Sequence, residues 1–249
     1  MERYTIPLED LPPAFEGLRI VQLSDLHGAV FGQDNETLLQ AVRAAEPDLI
    51  LLTGDLLDSF RATPQVYALD LTAALVPIAP VYFVTGNHEW ALPGVPALKE
   101  GLARQGATVL SNQFVSLERG GERLLLAGID DPNGYAGQKT PEELAAEVRS
   151  AGPDACWLLL AHRNDHFPTQ YSLLGADLVI SGHGHGGLIR LPFTDGLLST
   201  DRTFFPSYTN GIYHANGSTL FVSRGLGNSG RTFRLFDRPQ LAVLTLVRG

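Results

Sequence analysis

Cysteine occurs once in the 249 residues, at Cys156 within the apolar run Ala-Cys-Trp-Leu-Leu-Leu, so neither a disulfide framework nor a cysteine-based zinc site can be built. Any metal chemistry must rest on oxygen and imidazole. Lysine is almost missing as well, with Lys99 and Lys139 alone among 18 cationic residues, and the formal net charge is −9. That balance argues against a protein that coats nucleic acid through its overall field, and no stable nucleic-acid partner is expected. No run reaches the roughly 18 to 20 consecutive apolar residues that span a bilayer, and the N-terminus has no signal-peptide h-region. The expectation is a cytoplasmic chain without a transmembrane segment; peripheral membrane association, or export with a leading segment removed, are the alternatives.

What is present is apolar material in quantity: 44% of the residues are hydrophobic, ample for a substantial core, and no repeat, low-complexity tract or long linker divides the chain. One domain over residues 1–249 is expected. Residues 18–24, 48–53 and 81–85 read as strands, with helical patterns through Leu38, Leu39, Val42 and Ala45, over 65–75 and over 96–105. Such alternation predicts a largely parallel sheet with helical crossovers. After Gly106, short runs at 108–110, 114–117 and 123–129 read as the start of a second, more antiparallel sheet. A helix over 141–150 is announced by Thr140 as N-cap, Pro141 at the first helical position and Glu143 three residues after the cap. Further strands are expected at 156–161, 177–181, 188–191, 212–214, 219–224 and 241–247. The class is α/β, a four-layer α-β-β-α sandwich of two mixed sheets flanked by helices.

Five polar islands interrupt this pattern, each at the exit of an apolar strand: Ser24-Asp25-Leu26-His27, Gly54-Asp55-Leu56-Leu57-Asp58, Gly86-Asn87-His88-Glu89, Ala161-His162, and Gly182-His183-Gly184-His185. Alone, each has an ordinary reading, such as a capping Asp, a turn Asn or a hydrogen-bonded buried His. Together, in order, they place carboxylate, amide and imidazole groups along one edge of a sheet, where open α/β folds build their sites. Asp55 has two oxygens with which to bridge two cations, and Asn87 adds a neutral oxygen donor.

This ordered set resembles the calcineurin-like metallophosphoesterase family from Leu18 to about His185, with a weaker likeness beyond. The resemblance implies that Asp25, His27 and His185 bind one divalent metal, that Asn87, His162 and His183 bind a second, and that Asp55 bridges them. It makes His88 the non-ligand histidine beside the scissile phosphate. Two cations roughly 3.5 to 4 Å apart would generate a bridging hydroxide as nucleophile and neutralise charge developing in an in-line displacement. Manganese is the first expectation for the metal, with iron, zinc or cobalt also suited to mixed Asp, Asn and His donors. Asp58 is expected to orient the His88 imidazole.

The implied activity is hydrolysis of a phosphodiester, a pyrophosphate or an activated monoester, with a small substrate that is lipid- or nucleotide-linked in some relatives. The opening 11–27 and closing 223–240 segments resemble a bacterial subgroup of membrane-associated enzymes, relatives of which cleave the pyrophosphate of UDP-diacylglucosamine. A non-catalytic metal-binding scaffold of the same fold is the alternative, but it would be marked by lost ligands, and none is lost. An exonuclease would want a basic groove and usually an added capping domain. The sequence departs from the common family pattern at Arg163-Asn164-Asp165, where many relatives have a proline-containing continuation, and at the glycine between His183 and His185. His166 and His214 match no ligand position. Residues 192–210, which mix Phe193, Leu197, Leu198, Phe204, Phe205 and Tyr208 with turn residues, are expected to wall a substrate pocket. Nothing in the sequence bears on oligomeric state.

Overall fold

Alternation along strands sorts the core into three apolar layers. In the computed structural model, which describes residues 1–134, 136–187, 189–190, 196–198, 204–230 and 233–249, β2 (Arg19–Leu23) sends Ile20 to the middle layer and Val21 and Leu23 to an outer one. The same division recurs on β3 (Leu49–Thr53) and β4 (Val81–Val84), where Leu49, Leu51 and Val84 face inward and Ile50, Leu52 and Phe83 face the helices. A strand buried on both faces needs apolar residues at nearly every position, which is why these runs are continuous.

The helices α1 (Glu36–Ala45), α2 (Gln65–Leu75) and α4 (Val95–Arg104) cover the outer face of this sheet through Leu38, Val42, Leu71, Leu75, Leu98 and Leu102. Between the last two, α3 (Asn87–Trp90) is a single turn that carries the third polar island. β5 (Thr108–Val109) ends the sheet on one side. β1 (Glu2–Leu8) and β12 (Ala242–Arg248) extend it on the other, in the order β1-β12-β2-β3-β4-β5. β1 carries no clear strand signal, because it is an edge strand whose outer residues are polar.

The second sheet contains β6 (Gln113–Arg119), β7 (Glu122–Ile129), β8 (Trp157–Arg163), β9 (Leu178–Gly182), β10 (Gly211–Ala215) and β11 (Ser218–Val222), in the order β10-β11-β9-β8-β7-β6. It is less antiparallel than the sequence predicts. Its four central strands run parallel, and only the edge pairs β6–β7 and β10–β11 are antiparallel hairpins. The reason is the crossover α5 (Pro141–Ala151), which returns the chain between β7 and β8 and packs Leu144, Ala145 and Val148 on Leu125, Trp157 and Leu159. The expected cap is present: Thr140 accepts from the Glu143 amide and Glu143 accepts from the Thr140 amide. Between the sheets, Leu124, Leu126, Leu158, Leu160, Leu178, Ile180 and Phe221 meet the inner residues of the first sheet. No described helix is long and apolar enough to cross a membrane.

Residues 188 and 191 of the expected strand at 188–191, together with residues 192–195 and 199–203 of the irregular stretch 192–210, lie outside the described residues. Ile189 pairs with Leu198 and Leu235 in isolated bridges, and Leu198 pairs with Phe204.

Candidate metal centre

The carboxyl ends of β2, β3, β4, β8 and β9 meet where the two sheets abut, and the first, second and fifth islands leave their strands there by sharp turns. Asp25, His27, Asp55, His183 and His185 all hold left-handed backbone, with φ between 45° and 66°. Non-glycine residues seldom do so, and they persist only where surrounding contacts over-determine them. The contacts are visible. The amides of Asp25, His27 and Gly28 donate to the carbonyls of Gly54, Asp55 and Leu56, extending the β2–β3 ladder past the strands, while on the other side Leu226 and Gly227 donate to Ser24 and Asp25. Gly182 is required by close approach, because a side chain there would strike Ser24 and Asp25.

His162 arrives by a different device. Leu160 pairs with Ile180 but Arg163 pairs with Gly182, so β8 carries one extra residue at this point. Such a bulge re-aims side chains at a strand end.

All seven residues expected to hold metal converge. Asp25, His27 and His185 present donor atoms within 4.8 Å of one another, as do Asp55, His162 and His183. Asp55 lies between the two sets, its Oδ2 3.7 Å from His27 Nε2 and 3.3 Å from His162 Nε2. Asn87 Oδ1 is 3.2 Å from His162 Nε2, and His185 Nε2 is 3.4 Å from Asp25 Oδ1. His27 and His185 aim Nε2 at each other across 3.0 Å.

The donor chemistry fits divalent cations. His162 Nδ1 donates to the Thr53 carbonyl at 2.8 Å, which turns Nε2 inward toward Asp55. Burial holds His27, His183 and His185 below the usual imidazole range, so they are neutral donors. For His162 burial pulls the same way, but the Asp55 and Asp25 charges outweigh it and hold the ring up at about 10. Burial alone would raise the Asp55 carboxyl, but His162 and His27 drive it far below the carboxylate range. Asp55 and His162 thus favour each other's charged forms, and a cation bound between them would compete with the proton on the ring. Among the described residues, the buried His27 Nδ1 has no hydrogen-bond partner.

His88 also belongs to the constellation, within 4.8 Å of donors on His27 and Asp55. Its amide donates to Asp55 Oδ1 at 2.8 Å. The Ser59 amide donates to His88 Nδ1 at 3.0 Å, so the proton of the neutral ring is on Nε2, 3.2 Å from Ser229 Oγ. Asp58, expected to orient this ring, faces the same nitrogen: its Oδ1 stands 3.7 Å from Nδ1, and its carboxylate accepts from the amides of Phe60 and Gly230, while the hydrogen bond to Nδ1 comes from Ser59. His166 and His214 lie away from the centre, bonded to Gln170 and Thr219.

Sequence reasoning missed Glu89. Its buried carboxylate accepts from the amides of Asp55 (2.8 Å), Leu57 (3.0 Å) and Gly86 (2.7 Å), tying the second island to the third. Burial and then the Asp55 charge raise it to about 7, although the Leu57 and Gly86 amides pull the other way. Arg234 was missed too. All its donors are directed within the structure, to Asn228, Arg224, Asp237, Gly227 and His185 Nδ1, so it forms the wall behind His185. Beside that wall opens a cleft of about 670 Å³ with Phe31, Arg61, Phe233, Phe236 and Arg238 among its lining residues.

A profile of the calcineurin-like phosphoesterase family matches residues 18–187. The metallophosphoesterase YkuE of Bacillus subtilis (strain 168) is 30% identical over 260 residues, covering 98% of this chain and 84% of that protein. A Danio rerio transmembrane protein with metallophosphoesterase domain is 32% identical over 254 residues, with 97% of this chain set against 56% of that protein. Among solved structures, a 5′-nucleotidase precursor from Thermus thermophilus shares the fold at a TM-score of 0.55 and 18% identity, covering 83% of this chain and 48% of that one. The chain spans about half the length of the latter two proteins.

Proposed function

The chain belongs to the calcineurin-like phosphoesterase family, as a metal-dependent phosphoesterase, and from that premise we propose a two-metal hydrolase of phosphodiesters, pyrophosphates or activated monoesters. Asp25, His27 and His185 would hold one cation, Asn87, His162 and His183 the other, and Asp55 would serve both. When bound, a pair of divalent ions, manganese first among the candidates, activates water as the nucleophile and neutralises charge on the phosphoryl group.

The remaining work falls to protein groups. His88, held by Ser59 as the Nε2–H tautomer, presents a donor to the transferring oxygens or to the departing alkoxide. Ser229 occupies that donor until substrate takes its place. Glu89 and the flanking ladder bonds keep Asp55 from reorganising during the reaction. The cleft with Phe31, Phe233 and Phe236 receives the non-reacting portion of the substrate, and Arg61 and Arg238 at its edge favour an anionic, lipid- or nucleotide-linked molecule.

The observation that carries this reading is the position of Asp55 between two donor sets. The test is a panel of p-nitrophenyl phosphate, bis-p-nitrophenyl phosphate, cyclic nucleotides and UDP-diacylglucosamine, with metal-reconstituted protein and the Asp55→Asn variant. Turnover that is lost on chelation and in the variant supports it. Turnover that survives full chelation overturns it.

A further inference from the structure

Arg163 opens the segment Arg163-Asn164-Asp165 that continues from the His162 position, and the structure gives it a place beside the centre. It follows His162 at the end of β8 and points a half-buried guanidinium toward the His183 side of the centre, Nη1 lying 3.4 Å from His183 Nε2. One edge is tethered: Nε donates to Asp131 Oδ2 at 2.8 Å. Asp131 is itself fixed, since its amide donates to Thr85 Oγ1 and its Oδ1 accepts from the Asn133 amide. Thr85 Oγ1 in turn bonds Asp130 Oδ1 and receives the Trp90 indole N–H, so the ends of β4, β7 and β8 are joined. Lys99 pairs with Asp130 and Arg163 with Asp131, and the Arg163 side chain as a whole remains 19% exposed.

A guanidinium fixed along one edge by a carboxylate is prepared to bind an oxyanion along the other, because the fork is planar and little freedom remains to be lost. The anion nearest this edge is whatever the His183 half of the centre holds. Resting on the phosphoesterase reading, we propose that Arg163 is the anion clamp of the site, binding a non-bridging oxygen of the phosphoryl group beside His183 and favouring a doubly charged phosphate over a singly charged diester. The preference follows from charge: the attraction of one guanidinium doubles when the anion carries two charges instead of one. A purely structural Arg163 would serve Asp131 alone and show no such preference.

The metal-loaded protein tests this through Arg163→Gln and Arg163→Met, both of which remove the charge. Steady-state kinetics with p-nitrophenyl phosphate and bis-p-nitrophenyl phosphate, calorimetric binding of inorganic phosphate, and metal content are measured together. The clamp predicts that KM for the monoester rises about tenfold or more, kcat and the diester KM change by less than about threefold, phosphate affinity falls about tenfold, and metal content is unchanged. Equal effects on the two esters, unchanged phosphate affinity, or loss of metal in whichever variant is folded overturns the clamp. A metal-loaded wild type that hydrolyses neither of these esters, nor the cyclic nucleotides or UDP-diacylglucosamine of the wider panel, overturns the hydrolase reading instead.

Discussion

The metal centre and the rim of the cleft beside it are built on opposite terms. At the centre, Asp25, His27, Asp55, His162 and His185 are buried, and the amides of Asp25, His27 and Asp55 are held by ladder bonds or by the carboxylate of Glu89. At the rim, Phe60, Phe233 and Phe236 are exposed on irregular chain, Phe236 to 77%. Exposed aromatic groups on loops contribute little to folding, and they can be exchanged without disturbing a sheet. The contrast separates two tasks: the strand ends set which chemistry is possible, and the rim sets which molecule is brought to it.

If that separation holds, substitutions should sort by region. Asp55→Asn leaves one oxygen for two donor sets, and activity should fall on the order of a thousandfold or more with loss of bound metal, read by turnover and elemental analysis. A variant retaining full metal and turnover would break the comparison at its centre. His88→Ala should lower kcat by about a hundredfold or more while metal content is kept, because the ring acts beside the metals. Parallel loss of metal would make His88 a ligand.

Glu89→Gln replaces an acceptor of three amides with a weaker group, and chemical denaturation should show about 1–3 kcal/mol of destabilisation together with weakened metal affinity. Phe236→Ala at the rim should leave stability within about 0.5 kcal/mol and change KM for the natural substrate class more than kcat. Unfolding of that variant would show that the rim is part of the core.

The smallest effect concerns the base of the rim, where Glu2 pairs with Arg224. Burial alone would raise the Glu2 carboxyl, but hydrogen bonds from Arg224, Tyr4 and Gln240 bring it down to about 2 from an ordinary 4.5. Its stabilising contribution is therefore present above pH 4.5 and lost as the pH falls toward 2. Thermal melts should show a steeper decline over that window for the wild type than for Glu2→Gln.

Legibility follows the same division. The five islands could be read because each places ligand-type residues at the end of an apolar run, and the Thr140 cap because its signal is local. The edge strand β1, the acceptor role of Glu89, the Ser59 amide on His88 and the Arg163–Asp131 tether could not. These depend on which backbone groups meet after the sheets have packed, and neither periodicity nor spacing encodes that. Of the irregular stretch 192–210 expected to wall the pocket, residues 192–195 and 199–203 lie outside the described residues; among the described residues, the cleft beside the centre is lined by the segment around Phe233 and Phe236.

The most direct test of a shared Asp55 is titration of chelator-stripped protein with manganese, followed by calorimetry and electron paramagnetic resonance. Two equivalents per chain with an exchange-coupled signal, reduced to one uncoupled equivalent or fewer in Asp55→Asn, is the expected result. A folded wild type that saturates at one magnetically isolated ion and is active in that state would contradict it.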